Sequence, residues 1–351
     1  MTPADLSRTV LSAVRRAVEE GALGGLVAVP ERVVVERPRP GGRGDYATNA
    51  ALRLAREAQM PAVRVAEVLS EQLVRQPGIA GVEVTGPGFL NITLDTGADG
   101  SLVRTVLEQG GRYGHGDGMA GERCVYRHRP EVRGAVVADG LRRLALAQGA
   151  AADAECAGAA DAEWGRLGVV TRSGASGPRV DVRPAGAGAG AGELLRCYGA
   201  DAARWAMLRA AAHDRPRLDA GLLVQAEANP LFRVRYAHSR ARALGRAAER
   251  LGIPVRHGEL EETVDAPALL AAIGDYPRVL VSAVRHSAPD RLARQLETTA
   301  DAFLGFQHTV LPLGDEKPSA AHRSRLALAE AAGTVLAGGL TLLGISAPEY
   351  V

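Results

Sequence analysis

The sequence predicts an α+β protein: an N-terminal α/β domain, a short reduced middle segment and a C-terminal all-α helical bundle. Three observations predict it. Helix-like and strand-like periodicities alternate up to about residue 110, small residues dominate 111–195, and from 196 to 351 apolar residues recur three and four apart almost without a break. The 351 residues are enough for two or three domains with cores of their own.

The first helix runs through PADLSRTVLSAVRRAVEE, with Thr2 as its N-cap and Pro3 in the first turn. RVVVERP reads as a strand closed by proline. YATNAALRLAREA and PAVRVAEVLSEQLVRQ carry helical spacing, and GVEVTGPGFLNITLD gives two short strands about a Gly-Pro-Gly turn. In the middle segment one strand, CVYRH, precedes one helix, VRGAVVADGLRRLALAQ. Its remaining alanines and glycines bury little apolar area per ordered residue, so a loosely packed connector is expected.

Helices follow from Glu193 onward. In NPLFRVRYAHSRARALGRAAERLG the residues Val234, Ala237, Ala241, Leu244, Ala248 and Leu251 form one apolar stripe. Three more helices, PALLAAIGDYPRVLVSAVR, PDRLARQLETTADAFLGFQ and HRSRLALAEAAGTVLAGGLTLLG, complete a bundle, the last closing at Gly344.

A net charge of +2 neither demands nor excludes a nucleic-acid partner. No apolar run is expected to span a bilayer, and the mixed charge of the N-terminus is unlike a signal peptide, so a cytoplasmic protein without a membrane partner is expected. Cys124, Cys156 and Cys197 follow no zinc or disulfide pattern, and the eight histidines have no metal-ligand spacing, so no metal and no cofactor are expected. Among 42 basic residues Lys317 is the only lysine, and it sits in the polar turn GDEKPS.

Residues 178–208, PRVDVRPAGAGAGAGELLRCYGADAARWAML, place a β-like VDV before a glycine run and a helix, the order a phosphate-binding loop needs. The details go against it. With glycines at 186, 188, 190 and 192, a G-x-G-x-x-G register ends on Ala191 or Glu193, and no lysine follows. The alternating Ala and Gly read as a flexible linker.

The strongest chemical lead is the basic face of the helix after Asn229: Arg235, Arg242 and Arg246, with Arg233 and Arg240 beside them and Tyr236 and His238 between. Guanidinium groups neutralise phosphates and an aromatic ring stacks bases of single-stranded loops. The same pattern equally describes a solvated arginine face. Glu259, Glu261 and Glu262 read as a solvated charge run.

GGRGDYATNAALRLAREAQMPAVRVAEVL with GVEVTGPGFLNITL resembles the N-terminal domain of the arginyl-tRNA synthetases. YGADAARWAMLRAA, NPLFRVRYAHSRARAL, PDRLARQLETTADAFLGF and LLGISAPEYV resemble that family's DALR-type anticodon-binding domain, in order. The resemblance implies residues 1–110 as the N-terminal-like domain, 111–195 as a degenerate remnant of the class I catalytic domain with a Gly/Ala linker, and 196–351 as the anticodon-binding bundle. It implies that Phe89 stacks and Asn91 hydrogen-bonds on the tRNA D-loop, and that the helix holding Tyr236, His238 and Arg240 grips the anticodon arm; the basic face adds Arg233, Arg235, Arg242 and Arg246 as candidate tRNA-binding residues. Arg235 stands where the family commonly has glutamine, and Leu304 and Gln307 replace a histidine and a tyrosine in the helix holding Phe303 and Phe306.

The family's HIGH motif would lie just before RGAVVADGLRRL. Here HRPE, residues 128–131, stands there, and His128 is not part of an H-x-G-H. The KMSKS-type loop would lie in GVVTRSGASGPRVDVRP, which has no lysine; Arg172 and Arg179 are the charges available. The roughly 80 residues of the remnant leave no room for a nucleotide-binding sheet. The expectation is therefore binding of tRNA, arginine tRNA foremost, without aminoacylation and with no catalytic residue. The alternatives are a protein-interaction or regulatory subunit that contacts a synthetase or another protein, and residual arginine-tRNA ligase activity, alone or with a separate catalytic half.

Overall fold

A computed structural model describes residues 3–24, 29–30, 33–36, 38, 43–95, 97–253, 260 and 264–351. Thr2 and the trio Glu259, Glu261 and Glu262 lie outside the described residues. The chain divides into two compact units, Met1–Leu102 and Val103–Val351, and the division falls inside α4 (Ala98–Gln109).

In the first unit α1 (Pro3–Glu19) buries one face, Leu6, Val10, Ala13, Val14 and Ala17, in a core shared with Val65, Leu69 and Leu73 of α3 (Ala62–Val74). The strands β1 (Val35–Glu36), β2 (Tyr46–Thr48), β3 (Ile79–Thr85) and β4 (Phe89–Leu94) form an antiparallel sheet in the order β1-β2-β4-β3. The helix expected over YATNAALRLAREA is only α2 (Ala50–Leu54). Tyr46 and Thr48 alternate inward, and the Thr48 hydroxyl both donates to the Val34 carbonyl at 2.7 Å and accepts from the Ala50 N–H at 3.2 Å, which ends the strand and starts the helix. The turn between β3 and β4 lies against the start of α3: Gly88 has φ +132°, and a Cβ there would stand 3.0 Å from the Ala62 carbonyl oxygen.

The second unit holds a parallel sheet that the sequence did not announce. β5 (Arg123–His128) is central, with β6 (Ala151–Cys156) on one side and β7 (Arg179–Val182) on the other. The expected loose connector with no room for a sheet is therefore packed. β6 reads AADAEC and lacks the β-branched residues that signal strands, yet its Ala152 and Ala154 are buried. α5 (Val132–Ala147) is buried from Val132 through Leu141, including Arg133 and Asp139. The expected linker is also held: the Ala185 N–H donates to the Ala212 carbonyl at 2.8 Å, and its own carbonyl accepts from Arg133 at 2.7 Å.

The bundle comprises α6 (Ala191–Arg209), kinked at Gly199, then α7 (Pro230–Arg250), α8 (Pro267–Arg285), α9 (Asp290–Phe306) and α10 (Ala320–Leu342). Five residues of the predicted α7 stripe are buried; the sixth, Leu251, caps the helix and is exposed. Two helices, Pro267–Arg285 and Ala320–Leu342, are long and apolar enough to cross a membrane by length and composition, whereas no run of that length was expected. Leu328, Val335, Leu336 and Leu340 of α10 are buried within the bundle. α5 and α6 are joined by a buried ion pair: Arg204 donates to Asp139 at 2.9 Å and to the carbonyls of Leu343 and Leu167 at 2.9 and 2.8 Å. Burial alone would raise the Asp139 pKa, but Arg204, Arg143 and Arg142 hold it below the ordinary carboxylate value.

Candidate functional site

The strand order β6-β5-β7 puts a topological switch between β5 and β7, and ligands of open α/β sheets bind in the crevice beyond the strands' carboxyl ends at such a point. β5 leads there into the N-terminus of α5, and β7 leads into the glycine run. Both are anion attractors in principle. Here the crevice is met by the chain's own carboxylate. Glu131 is the N-cap of α5; one carboxylate oxygen accepts from the Gly134 N–H at 2.8 Å, the other from the Ala187 N–H in the glycine run at 3.0 Å. Two residues on, Arg133 is fully buried and donates to the carbonyls of Met207, Ala185, Asp214, Ala210 and Ala211, fixing the loop's start to the end of α6.

A cavity of about 440 Å³ beside this point is lined by Glu131, Asp161, Trp164 and Gly190 among others. His128 is buried, with Nδ1 2.7 Å from the Arg129 carbonyl and its ring tilted against Trp164 at 5.4 Å. Burial lowers its pKa, which favours the neutral ring. The two arginines that could have supplied cationic charge point elsewhere: Arg179 pairs with Glu155 at 2.9 Å and Arg172 with Asp153 at 3.6 Å. The cavity lining thus carries two carboxylates, Glu131 and Asp161, with the buried His128 behind Trp164.

α7 starts cleanly. Asn229 caps it, accepting from the N–H groups of Leu231 and Phe232 at 3.1 and 3.4 Å, and Pro230 occupies the first turn. Its buried stripe separates the arginines into two rows. On one side Arg233 pairs with Asp301 at 2.9 Å, and Arg240 donates to the neutral Gln307 amide oxygen at 2.7 Å. On the other, Arg235 pairs with Asp201 and donates to the Ser346 hydroxyl at 2.7 Å. Arg242 donates to Glu349 at 3.2 Å; Arg246 lies 3.6 Å from the same carboxylate, with its guanidinium 4.4 Å from the Tyr350 ring centroid. The C-terminal residues Ser346–Tyr350 therefore contact the second row, helped by the Ser239 hydroxyl donating to the Glu349 carbonyl at 2.9 Å.

Of the nominated aromatic groups on α7, Tyr236 is exposed and stacks on Phe232 at 5.7 Å with an interplanar angle of 19°. His238 instead turns into the bundle. It is 5% exposed, with Nδ1 3.1 Å from the Gly333 carbonyl, and burial lowers its pKa. Phe303 and Phe306 are core residues. The outward strip is Phe232, Tyr236 and Arg240, spaced four apart.

In the first unit Phe89 is exposed at the Gly86–Gly88 turn, whereas Asn91 is buried and donates to the Thr85 hydroxyl at 2.8 Å across the hairpin. The structure thus exposes the stacking residue and occupies the amide. Three residues that shape these surfaces had no distinctive sequence signal. Glu131 is one carboxylate in a polar turn, and Glu349 and Tyr350 meet α7 only through the fold. Phe232 could have been found by pairing it with Tyr236 four residues on.

Residues 6–94 match the family model "Arginyl tRNA synthetase N terminal domain", and residues 234–351 match "DALR anticodon binding domain". The arginine–tRNA ligase of Frankia alni is 28% identical over 558 aligned residues, covering 99% of this chain and 100% of the relative. That of Micrococcus luteus is 39% identical over 168 residues, covering 44% of this chain and 30% of the relative. Among solved structures the Thermus thermophilus arginyl-tRNA synthetase superposes with a TM-score of 0.72 at 13% identity over the whole of both chains, a likeness of fold.

Proposed function

Because the chain is arginyl-tRNA synthetase-like and carries a DALR anticodon-binding domain, we propose that it binds tRNA and does not aminoacylate it. The observation that carries the second half is Glu131. Its carboxylate takes the N–H groups at the start of α5 and in the glycine run, so a triphosphate approaching that crevice meets negative charge instead of free donors. Adenylate formation concentrates negative charge on the leaving pyrophosphate, and the catalytic gain comes from preorganised positive groups aimed at it. Near this crevice Arg133 is fully engaged with carbonyl oxygens, and His128 is buried with a lowered pKa. The alignment with the Frankia alni enzyme also supports the reading: it runs over 558 residues against 351 here, so at least 207 of its positions have no residue in this chain.

The binding half rests on α7. Tyr236 offers an exposed ring backed by Phe232, and Arg240 offers a guanidinium whose bonded partner is uncharged. Together they suit a splayed base and its phosphate in a single-stranded loop. Phe89 gives the first unit a separate exposed ring for the same polymer.

Two measurements on the full chain test the reading. Filter binding with labelled arginine tRNA should show an affinity that falls as salt rises, the signature of phosphate neutralisation. Arginine-dependent exchange of pyrophosphate into ATP, with tRNA present, should stay at background. Absence of tRNA binding at low salt would remove the first half, and clear exchange by the purified chain would remove the second.

A further inference from the structure

A second concavity, of about 340 Å³, lies along β6, one of the two edge strands of the parallel sheet. It is walled by Arg142 and Leu146 of α5 and by Val170 and Arg172, with Arg123 and Asp153 also on its lining. Arg123 and Ala151 open β5 and β6, whereas the Glu131 crevice follows the strands' other ends. Six-residue strands separate the two places by roughly 16 Å.

The groove has three guanidinium groups against one carboxylate, and each is held differently. Arg142 donates through Nη2 to Asp139 at 2.9 Å, while its Nε–H is buried without an acceptor. The Arg172 backbone N–H is tied to the Ala154 carbonyl at 2.8 Å, leaving a side chain that is 74% exposed and 3.6 Å from Asp153. The Arg123 stem passes over Gly177, where φ is +143° and a Cβ would stand 2.7 Å from the arginine Cγ; a side chain at that position would push Arg123 away. Among the described residues Arg123 has no ion pair. Leu146 and Val170 are exposed apolar walls beside this charge.

We propose that this groove binds a small organic anion, a carboxylate or phosphate carried on an apolar body. Arg123, which has no ion pair among the described residues, and the exposed Arg172 offer guanidinium donors that an oxyanion oxygen meets with charge-assisted bonds. A neutral ligand brings no such oxygen. A bare inorganic anion leaves Leu146 and Val170 in water, so the apolar body distinguishes the ligand from free phosphate and from a nucleic-acid backbone. The cavity volume suits a molecule of this size. The groove shares α5 with the Glu131 crevice but lies at the opposite ends of the strands.

The test titrates the full chain with phenyl phosphate, benzoate, inorganic phosphate and benzyl alcohol, by calorimetry and by saturation-transfer NMR. Phenyl phosphate and benzoate are expected to bind, inorganic phosphate about tenfold more weakly, and benzyl alcohol without detectable signal. Leu146→Glu puts a carboxylate among the arginines at an exposed helix position and should weaken phenyl phosphate about tenfold; Arg172→Gln should weaken it about threefold. Circular dichroism checks that Leu146→Glu keeps its fold, and Arg172→Gln, on an exposed side chain, decides if it does not. The proposal is overturned if neither organic anion binds, if inorganic phosphate binds as tightly as phenyl phosphate, or if the folded variants bind like the native chain.

Discussion

Two carboxylates, Glu131 at the switch point and Glu349 at the C-terminus, each lie on a feature that attracts phosphate, and they differ in how firmly they are held. Glu131 is grasped by two backbone N–H groups and caps a helix whose next two turns are buried. Glu349 meets side chains only, Arg242 and Arg246, and it is 51% exposed while Arg242 is 52% exposed. Displacing the first uncaps α5 at a cost of about 0.5–2 kcal/mol and leaves a negative charge beside the incoming one. Displacing the second costs about 0.2–1 kcal/mol in water and salt, and an RNA phosphate offers the arginines an equal partner. Self-neutralisation therefore closes a site only where backbone holds the neutralising group. On the proposed function, the crevice is the closed side of this comparison and α7 the open one.

The most severe way to break the comparison is to remove the frame both regions share. Asp139→Ala leaves Arg204 buried without its carboxylate, and α5 and α6 lose their common bolt. The expected loss is about 3–5 kcal/mol, the cost of an uncompensated buried charge. Urea unfolding followed by tryptophan fluorescence measures it, since Trp164 and Trp205 both lie in the second unit. A loss below about 1 kcal/mol, the level of an exposed pair, would mean that solvent reaches Arg204.

Next in size is Tyr236→Ala on the open side of the comparison. If the exposed ring stacks a base, RNA affinity falls by about 1–3 kcal/mol, read by anisotropy with a labelled anticodon stem-loop. Tyr236→Phe should keep most of it, because the face and not the hydroxyl makes the contact. Equal affinity of native and Tyr236→Ala chains would move the interface off this strip.

How much of this was legible beforehand depends on what each residue answers to. The bundle helices were readable because Val234, Ala237 and Ala241 obey one period and bury on one face. The β3–β4 hairpin was readable because Gly-Pro-Gly separates two alternating runs. β6 was not, since AADAEC becomes a strand through pairing with β5 and cover from α5, not through its own preference. The arginine face was visible as composition but not as chemistry. Its charges are answered by Asp201, Asp301 and Glu349, residues 34, 68 and 107 positions from the arginines they meet, which no local pattern reveals. The same applies to His238, which helical spacing set beside the arginines and which the bundle took into its core.

A smaller effect probes the closed side. Glu131→Ala should lower stability by about 1 kcal/mol through loss of the cap. It should also free the Gly134 and Ala187 N–H groups, so that pyrophosphate raises the melting temperature of the variant and leaves that of the native chain unchanged. A native chain stabilised by pyrophosphate to the same degree would place anion binding elsewhere and separate it from Glu131.

The smallest expected change bears most directly on the difference between the two carboxylates. Glu349→Gln removes a charge from an exposed pair, so stability should shift by no more than about 0.5 kcal/mol. RNA binding should respond more. The native chain must release Glu349 from Arg242 and Arg246 before phosphates can take them, whereas the variant has no charge at 349 competing for either guanidinium. Affinity should rise a few-fold at low salt. The slope of log affinity against log salt should change little, because the same phosphates are neutralised in both complexes and only a competing internal charge is lost; a slope steeper by about 0.7 would mean one added phosphate contact. Anisotropy over a salt series separates these outcomes. If Glu349→Gln leaves both affinity and slope untouched, the second arginine row takes no part in RNA binding, and contact on α7 falls to Tyr236 and Arg240.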